Sequence, residues 1–447
     1  MKVAWILSMV MAPLAWTADP AAERGPIDLT LKHAVDVAIS AEGNTNIQLS
    51  GEALKQAQSR ALQARAALLP DLEGAFSDRS STVNLAAQGL TSIKLPIPGG
   101  FSFPSFVGPF TSADARLSVQ QSVFDFASIR RFQASKVGVS AATQELDSTG
   151  EKVAAQVARA YLAAVRADAD VETADANVTL SGAVLTQAEN QKKAGTGTGI
   201  EVTRAKVQLA NDRQRLLVAE NGRRSAHLEL LRAMGTALDT EVRLTDKLGY
   251  VPVDAVTIEQ AKAQALQARP DLKAQQQREE NARLSASAVR MERMPSLAAF
   301  GDYGSSGIAL DNSLPTRAYG ISLKVPIFDG GRRDARRGEA ASLYRSERVR
   351  TGDLKQQIEL DVRLALDGLR SAEDQVKVAK EGLELADSEL TQARRRYDAG
   401  VTNSLEVTDA QTRLERARDN ETQALYNYNV ARIDLAQAMG NMRRSIP

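Results

Sequence analysis

Few residues in this chain are spaced for chemistry. The most suggestive run is Gly195-Thr196-Gly197-Thr198-Gly199. A glycine-rich loop can cradle phosphate with backbone N–H groups, but a nucleotide loop continues into Lys and Ser or Thr, and it follows a strand. This run continues into Ile200-Glu201 and sits inside a helical pattern, which reads as a turn. The two histidines, His33 and His227, fall in different helical stretches with no spacing that would hold a metal. Cysteine is absent, which removes disulfides, thiolate metal sites, a cysteine nucleophile and the N-terminal cysteine of a bacterial lipid anchor. No nucleophile–base pair stands out, so neither enzymatic activity nor a cofactor is expected. Arg332, Arg333, Arg336 and Arg337 crowd a helix start, where the macrodipole disfavours cations. Arg130 and Arg131 hold the corresponding place earlier in the chain. These arginines read either as contacts to lipid phosphates or as a solvated face.

The elements around these residues are long and repeated. From Arg332 to Gly440 the chain reads as a helix that runs out, turns near Gly400 and returns. Apolar or small residues recur every three or four positions, from Ile358 and Val362 through Leu390, Ala393 and Tyr397. The return leg carries Val407, Ala410, Leu414, Ala417, Ala424, Tyr428 and Leu435, interrupted only at Glu421. That 3.5-residue repeat belongs to a helix packed side-on against another. No proline lies between Pro326 and Pro447, and an outward leg of this length is a rod of roughly 100 Å.

The chain is written twice. Val123-Phe124-Asp125 returns as Ile327-Phe328-Asp329, Ala194-Gly195 as Ala399-Gly400, and Ala233-Met234-Gly235 as Ala438-Met439-Gly440. The first repeat spans 19–235, with short helices over 29–69, strands at 71–83 and 112–125, and a long hairpin at 127–235. A linker at 236–257 leads to the second repeat at 258–440. That repeat holds a helix at 258–294, strands at 296–305 and 317–329, and a hairpin at 331–440; 441–447 is a tail. The strands alternate apolar and polar residues, as in Tyr319, Ile321, Leu323 and Val325 against Gly320, Ser322 and Lys324. Four strands cannot close a barrel, since the smallest needs about eight, so a membrane role demands oligomers.

Residues 1–18 read as a signal peptide, with Lys2, an apolar run from Val3 to Ala15 and small residues Thr17 and Ala18. No later stretch reaches the ~20 apolar residues of a transmembrane helix. A net charge of +1 gives no field to collect nucleic acid. The stretch from Ile93 to Phe110 carries four of the ten phenylalanines and reads as an outer loop or an interfacial aromatic band.

The duplicated halves, the phrase Val325-Pro326-Ile327-Phe328-Asp329-Gly330-Gly331, and Arg396-Tyr397-Asp398-Ala399-Gly400 followed by Leu405-Glu406-Val407-Thr408-Asp409-Ala410 resemble the TolC-type outer membrane efflux proteins. The resemblance implies a mainly α fold with a membrane β-barrel part. It implies a homotrimer with a 12-stranded barrel in outer membrane lipid and a 12-helix periplasmic tunnel. It also implies a periplasmic adaptor, an inner-membrane transporter, and passive export. Glu406 and Asp409 stand where the family's acidic residues ring the narrow end and favour cations. Tyr397 matches a tyrosine that bonds an acidic residue of the first hairpin, the place held here by Glu201. Thr402 stands where a relative has a gating arginine. The hairpin tips, Gly195, Thr196, Gly400 and Val401, are the expected adaptor contacts. The competing reading is a periplasmic coiled-coil scaffold without a pore.

Overall fold

A computed structural model describes residues 27–89, 103–254, 256–399, 401–402 and 404–445. The expected signal at 1–18, Gly400 and the 93–102 part of the phenylalanine-rich stretch lie outside the described residues. The first half runs β1 (Ile27–Leu29), α1 (Leu31–Ile39), α2 (Thr45–Ala66), β2 (Asp71–Asn84), β3 (Phe106–Phe124), α3 (Phe126–Lys193) and α4 (Gly199–Met234). After β4 (Val242–Leu244), the second half runs α5 (Ile258–Ala268), α6 (Pro270–Met291), β5 (Ser296–Gly307), β6 (Ser313–Lys324), α7 (Arg332–Asp398) and α8 (Ser404–Ala438). A last turn, α9, covers Met442–Ser445.

Helices α3 and α7 have 68 and 67 residues, roughly 100 Å each, and α4 and α8 have 36 and 35. Each hairpin therefore has one leg about twice as long as the other. Small and branched residues alternate along the α7–α8 seam, where Ala386, Leu390, Ala393, Val407, Ala410 and Leu414 are buried together. Alanines let the backbones approach, and each buried Leu or Val contributes about 1.5–3 kcal/mol. Ala188, Val202 and Ala205 do the same near the α3–α4 tip. Among the described residues no helix is long and apolar enough to cross a membrane.

Four expectations need correction. The strand expected over 112–125 begins six residues earlier, at Phe106, so the end of the phenylalanine-rich stretch is strand paired with β2 rather than loop. The helix expected over 258–294 is two, because Arg269 is extended (φ −57°, ψ 119°) ahead of Pro270, which opens α6 at its first position. The fourth strand covers 313–324 rather than 317–329. Pro326 has no N–H for a ladder, and Gly330 and Gly331 turn the chain with positive φ into α7. The 236–257 linker holds a strand, since β4 pairs in parallel with β1, matching Ile27 to Val242 and Leu29 to Leu244.

The repeats share a packing device. Gly235 ends α4 with φ 80°, and a Cβ there would lie 2.7 Å from the Gly43 carbonyl oxygen between α1 and α2. Gly440 follows α8 with φ 70°, and its Cβ would lie 2.8 Å from Cα of Arg269, between α5 and α6. Each long hairpin thus closes against the break in its own helical pair, where only glycine fits. The main core gathers around Tyr161, whose hydroxyl donates to Leu29 O and the Asp246 carboxylate, both at 2.8 Å.

Strands β2-β3-β5-β6 form one antiparallel sheet in that order, and β3–β5 joins the halves. Within one chain the sheet does not close, and β2 and β6 are its edges. Register places Leu72, Val119, Leu117, Tyr303, Ile321 and Leu323 on one face, all exposed. The other face carries Asp71, Glu73, Ser118, Gln120 and Asp302. On that polar face Arg116 pairs with Asp114 at 3.0 Å and with Asp302, tying β3 to β5.

Candidate functional site

The hairpin tips are built from backbone turns. Gly195 takes φ 74°, and the N–H groups of Thr196 and Gly197 both donate to Gln191 O at 3.0 Å. Gly195 and Thr196 are exposed. At the start of α4, the Glu201 carboxylate accepts the Thr198 N–H at 2.8 Å, which anchors the helix start. In the second hairpin, Val401 N donates to Arg396 O at 3.0 Å, and Val401 is exposed.

Between the hairpins, Tyr397 donates its hydroxyl to the side-chain oxygen of Gln191. The tyrosine thus reaches the first hairpin at Gln191. Glu201 is engaged in capping its own helix, one turn away. Tyr397, Glu201, Gln208, Thr408 and Gln411 line a cavity of about 20 Å³ between the hairpins, and the buried Gln411 leaves Nε2 without a partner there.

The two acidic residues of α8 are not equivalent. Glu406 receives Arg396 Nη1 at 3.1 Å and the hydroxyl of Thr402, so its charge is answered within its own hairpin. Asp409 lies one helical turn on, exposed, with no ion pair among the described residues. Val407 and Ala410 beside them are buried in the seam, and Glu406 and Asp409 share the adjoining, wetter side of α8.

One level farther from the tips, the contact between hairpins is polar. Arg215 of α4 meets Glu415 of α8 at 2.6 Å and buried Asp212 at 3.8 Å, and Gln208 donates to Asp212 at 3.0 Å. Burial pushes the Glu415 carboxyl up, the Arg215 guanidinium opposes this, and Asp212 adds to the rise. Burial also pushes Asp170 of α3 up, against Arg166 and with help from Asp419. Arg166 lies over the Tyr426 ring, 5.3 Å from its centroid, and Arg159 pairs with Asp434 at 2.7 Å. Each hairpin is held internally by an apolar seam, and toward the sheet the hairpins also share an apolar core, in which Leu162 and Val165 of α3 lie with Ile433 and Ala436 of α8. His227 bridges α3 and α4 through Asp168 at 3.0 Å. Among the described residues no three acidic or histidine side chains converge as a metal site.

Sequence reasoning missed Gln191, Arg396, Arg215 and Glu415 as partners. The Thr198-x-x-Glu201 spacing is a capping-box signature, and it would have assigned Glu201 to its own helix.

A duplicated strand-and-hairpin chain, with two rods hung from one sheet and closed by turns at a shared end, has the build of an outer membrane export channel. The chain belongs to the Outer membrane efflux protein family, whose model matches residues 40–236 and 262–441. It is similar to the pyoverdine export outer membrane protein OpmQ of Pseudomonas putida, 23% identical over 90% of this chain and 84% of that one. The alkaline protease secretion protein AprF of Pseudomonas aeruginosa is also 23% identical, over 84% of this chain and 77% of its own. The fold is that of the Campylobacter jejuni CmeC outer membrane channel, with a TM-score of 0.79 at 17% identity, covering 92% of this chain and 85% of that channel.

Proposed function

We propose that three copies of this chain form a passive exit duct through the outer membrane, served by a periplasmic adaptor and an inner-membrane transporter. The observation that carries this is the sheet: four strands with an exposed apolar face and two unpaired edges, attached to rods too long for one compact domain. Pairing β6 of one copy with β2 of the next removes both edges, and three copies of four strands make a twelve-stranded barrel with a polar lumen. The rods continue it as a tunnel of twelve helices. The tips at Gly195, Thr196, Gly400 and Val401 meet the adaptor.

The tunnel's far end carries the gate. Tyr397 and Gln191 hold the hairpins together, and three copies of Asp409 form a ring that attracts cations, with Glu406 as a weaker member because Arg396 answers it. The chain does no chemistry. Relatives named for pyoverdine export and for protease secretion match along most of this chain, so cargo choice is assigned to the inner-membrane partner.

Outer membrane fractionation with unboiled gel electrophoresis tests this reading. A heat-modifiable trimer in the outer membrane that conducts ions in planar bilayers is expected; a soluble periplasmic dimer would overturn it.

A further inference from the structure

We propose that the junction between sheet and helices is a docking collar for anionic phospholipid, contacted by Arg130 and Arg332. The inference rests on the reading that the sheet lies in a membrane. It starts from an aromatic rim at the helix-side end of the exposed apolar face. Ile327 and Phe328 are 94% and 87% exposed, and Phe124 and Phe126, exposed as well, meet edge to face at 4.4 Å. Such residues sit comfortably where acyl chains give way to headgroups.

Arginines follow within about one helical turn. Phe126 and Arg130 are four apart on α3 and share a face, and Arg332 follows Phe328 by the same interval. The ion pairs sort seven arginines at the junction into two groups. Glu292, at the end of α6, accepts from both Arg131 and Arg336, while Arg293 and Arg337 converge on Asp334 and Arg333 meets Asp329 at 3.3 Å. Arg131, Arg336 and Arg293 thereby fasten α3, α6 and α7 together, and Arg333 and Arg337 are answered within α7 and its lead-in.

Arg130 and Arg332 are different. Among the described residues Arg130 donates only to the neutral amide oxygen of Gln133, and Arg332 is 73% exposed with its nearest carboxylate 3.9 Å away. Both lie in the opening of a long helix, Arg130 as the fifth residue of α3 and Arg332 as the first of α7. Each can bury its stem along the aromatic rim and hold its guanidinium at headgroup depth, where a phosphodiester takes two parallel hydrogen bonds. The partner this fits is a glycerophospholipid of net negative charge in the leaflet nearest the helices.

The full chain, reconstituted in phosphatidylcholine vesicles, is probed with spin-labelled phosphatidylglycerol or spin-labelled phosphatidylcholine, and the protein-bound fraction is read by electron spin resonance. A basic residue near an anionic surface corresponds to about fivefold in affinity. The wild type is expected to favour phosphatidylglycerol by about that factor, less so at high salt. The double variant Arg130→Gln/Arg332→Gln should fall to no preference, Arg130→Lys/Arg332→Lys should keep most of it, and Arg336→Gln should keep it whole. A heat-modifiable oligomer in every variant controls for folding. Equal binding of the two lipids by inserted, conducting wild type would overturn the collar while leaving the duct intact, as would a preference that survives the double Gln variant. A chain that neither inserts nor conducts would overturn both.

Discussion

Arg215→Ala should loosen the seam between the hairpins, and acidification should tighten it again. The guanidinium lies 2.6 Å from Glu415 and 3.8 Å from Asp212, whose side chains are 10% and 1% exposed. Removing it leaves two carboxylates facing each other between α4 and α8, with Asp170 and Asp419 adding the same sign nearby. A hydrogen bond to a charged group contributes about 1.5–3 kcal/mol. Arg215 itself is 59% exposed, so water replaces part of that, leaving ~1–2 kcal/mol per chain, or about 5–30-fold in the balance between closed and separated hairpins.

The sign of the pH effect follows from burial. In the closed seam Glu415 holds its proton more tightly than an exposed carboxyl does, and separation rehydrates it. The closed form therefore binds more protons between the ordinary and the raised pKa. Lowering the pH through that window favours closure, and raising it favours separation. Without Arg215 the carboxyl rises further and the window widens. In planar bilayers the variant should leak at neutral pH and leak less as the pH is lowered toward the ordinary carboxylate range, whereas Arg215→Ala/Glu415→Gln should lose most of the leak and of its pH dependence. A variant matching the wild type across that pH range, or leaking equally throughout it, would refute the reasoning.

Tyr397→Phe removes the hydrogen bond to Gln191, about 0.5–1.5 kcal/mol per chain, and should raise resting conductance; an unaltered closed state would reject the bond as a latch. Asp409→Ala should weaken block by polyvalent cations more than Glu406→Gln does, because Arg396 already answers Glu406; equal effects in the same bilayer assay would remove that distinction. Gly235→Ala places a Cβ 2.7 Å from Gly43 O at φ 80°, which should destabilise the chain by about 2 kcal/mol or more. An unchanged unfolding midpoint in urea would show that the Gly43 turn yields freely.

The long hairpins were legible because a 3.5-residue seam sustained over so many turns has no other physical reading, and Leu390, Val407 and Leu414 are buried where that period puts them. Dyad alternation exposed the strands for the same reason. The break at Arg269 was legible too, in the proline that follows it, but a strong helical pattern on both sides hid the interruption. The β1–β4 pair was not legible, since three-residue strands carry no period and their partners lie 215 residues apart. The tip contacts fell between these cases. Tyr397 stood out as a candidate, yet its partner depended on how α3 and α7 are rotated about their axes, which no linear pattern records. Arg215 and Glu415 were invisible for a related reason, because a charged residue in a long polar helix looks the same whether it faces water or a neighbouring hairpin.

The second rod has a mechanical consequence. Helix α7 is clamped partway along by Ile358, Val362 and Leu366, packed against α5 and α8. Between Val362 and its end at Asp398 there is no proline, an arm of roughly 54 Å that moves together with α8 along their shared seam. A stiff arm of that length acts as a lever. A tilt of about one degree at the clamp carries the tip through about 1 Å, and a few degrees would separate Tyr397 from Gln191. A partner gripping the chain near the clamp need move very little to swing its far end.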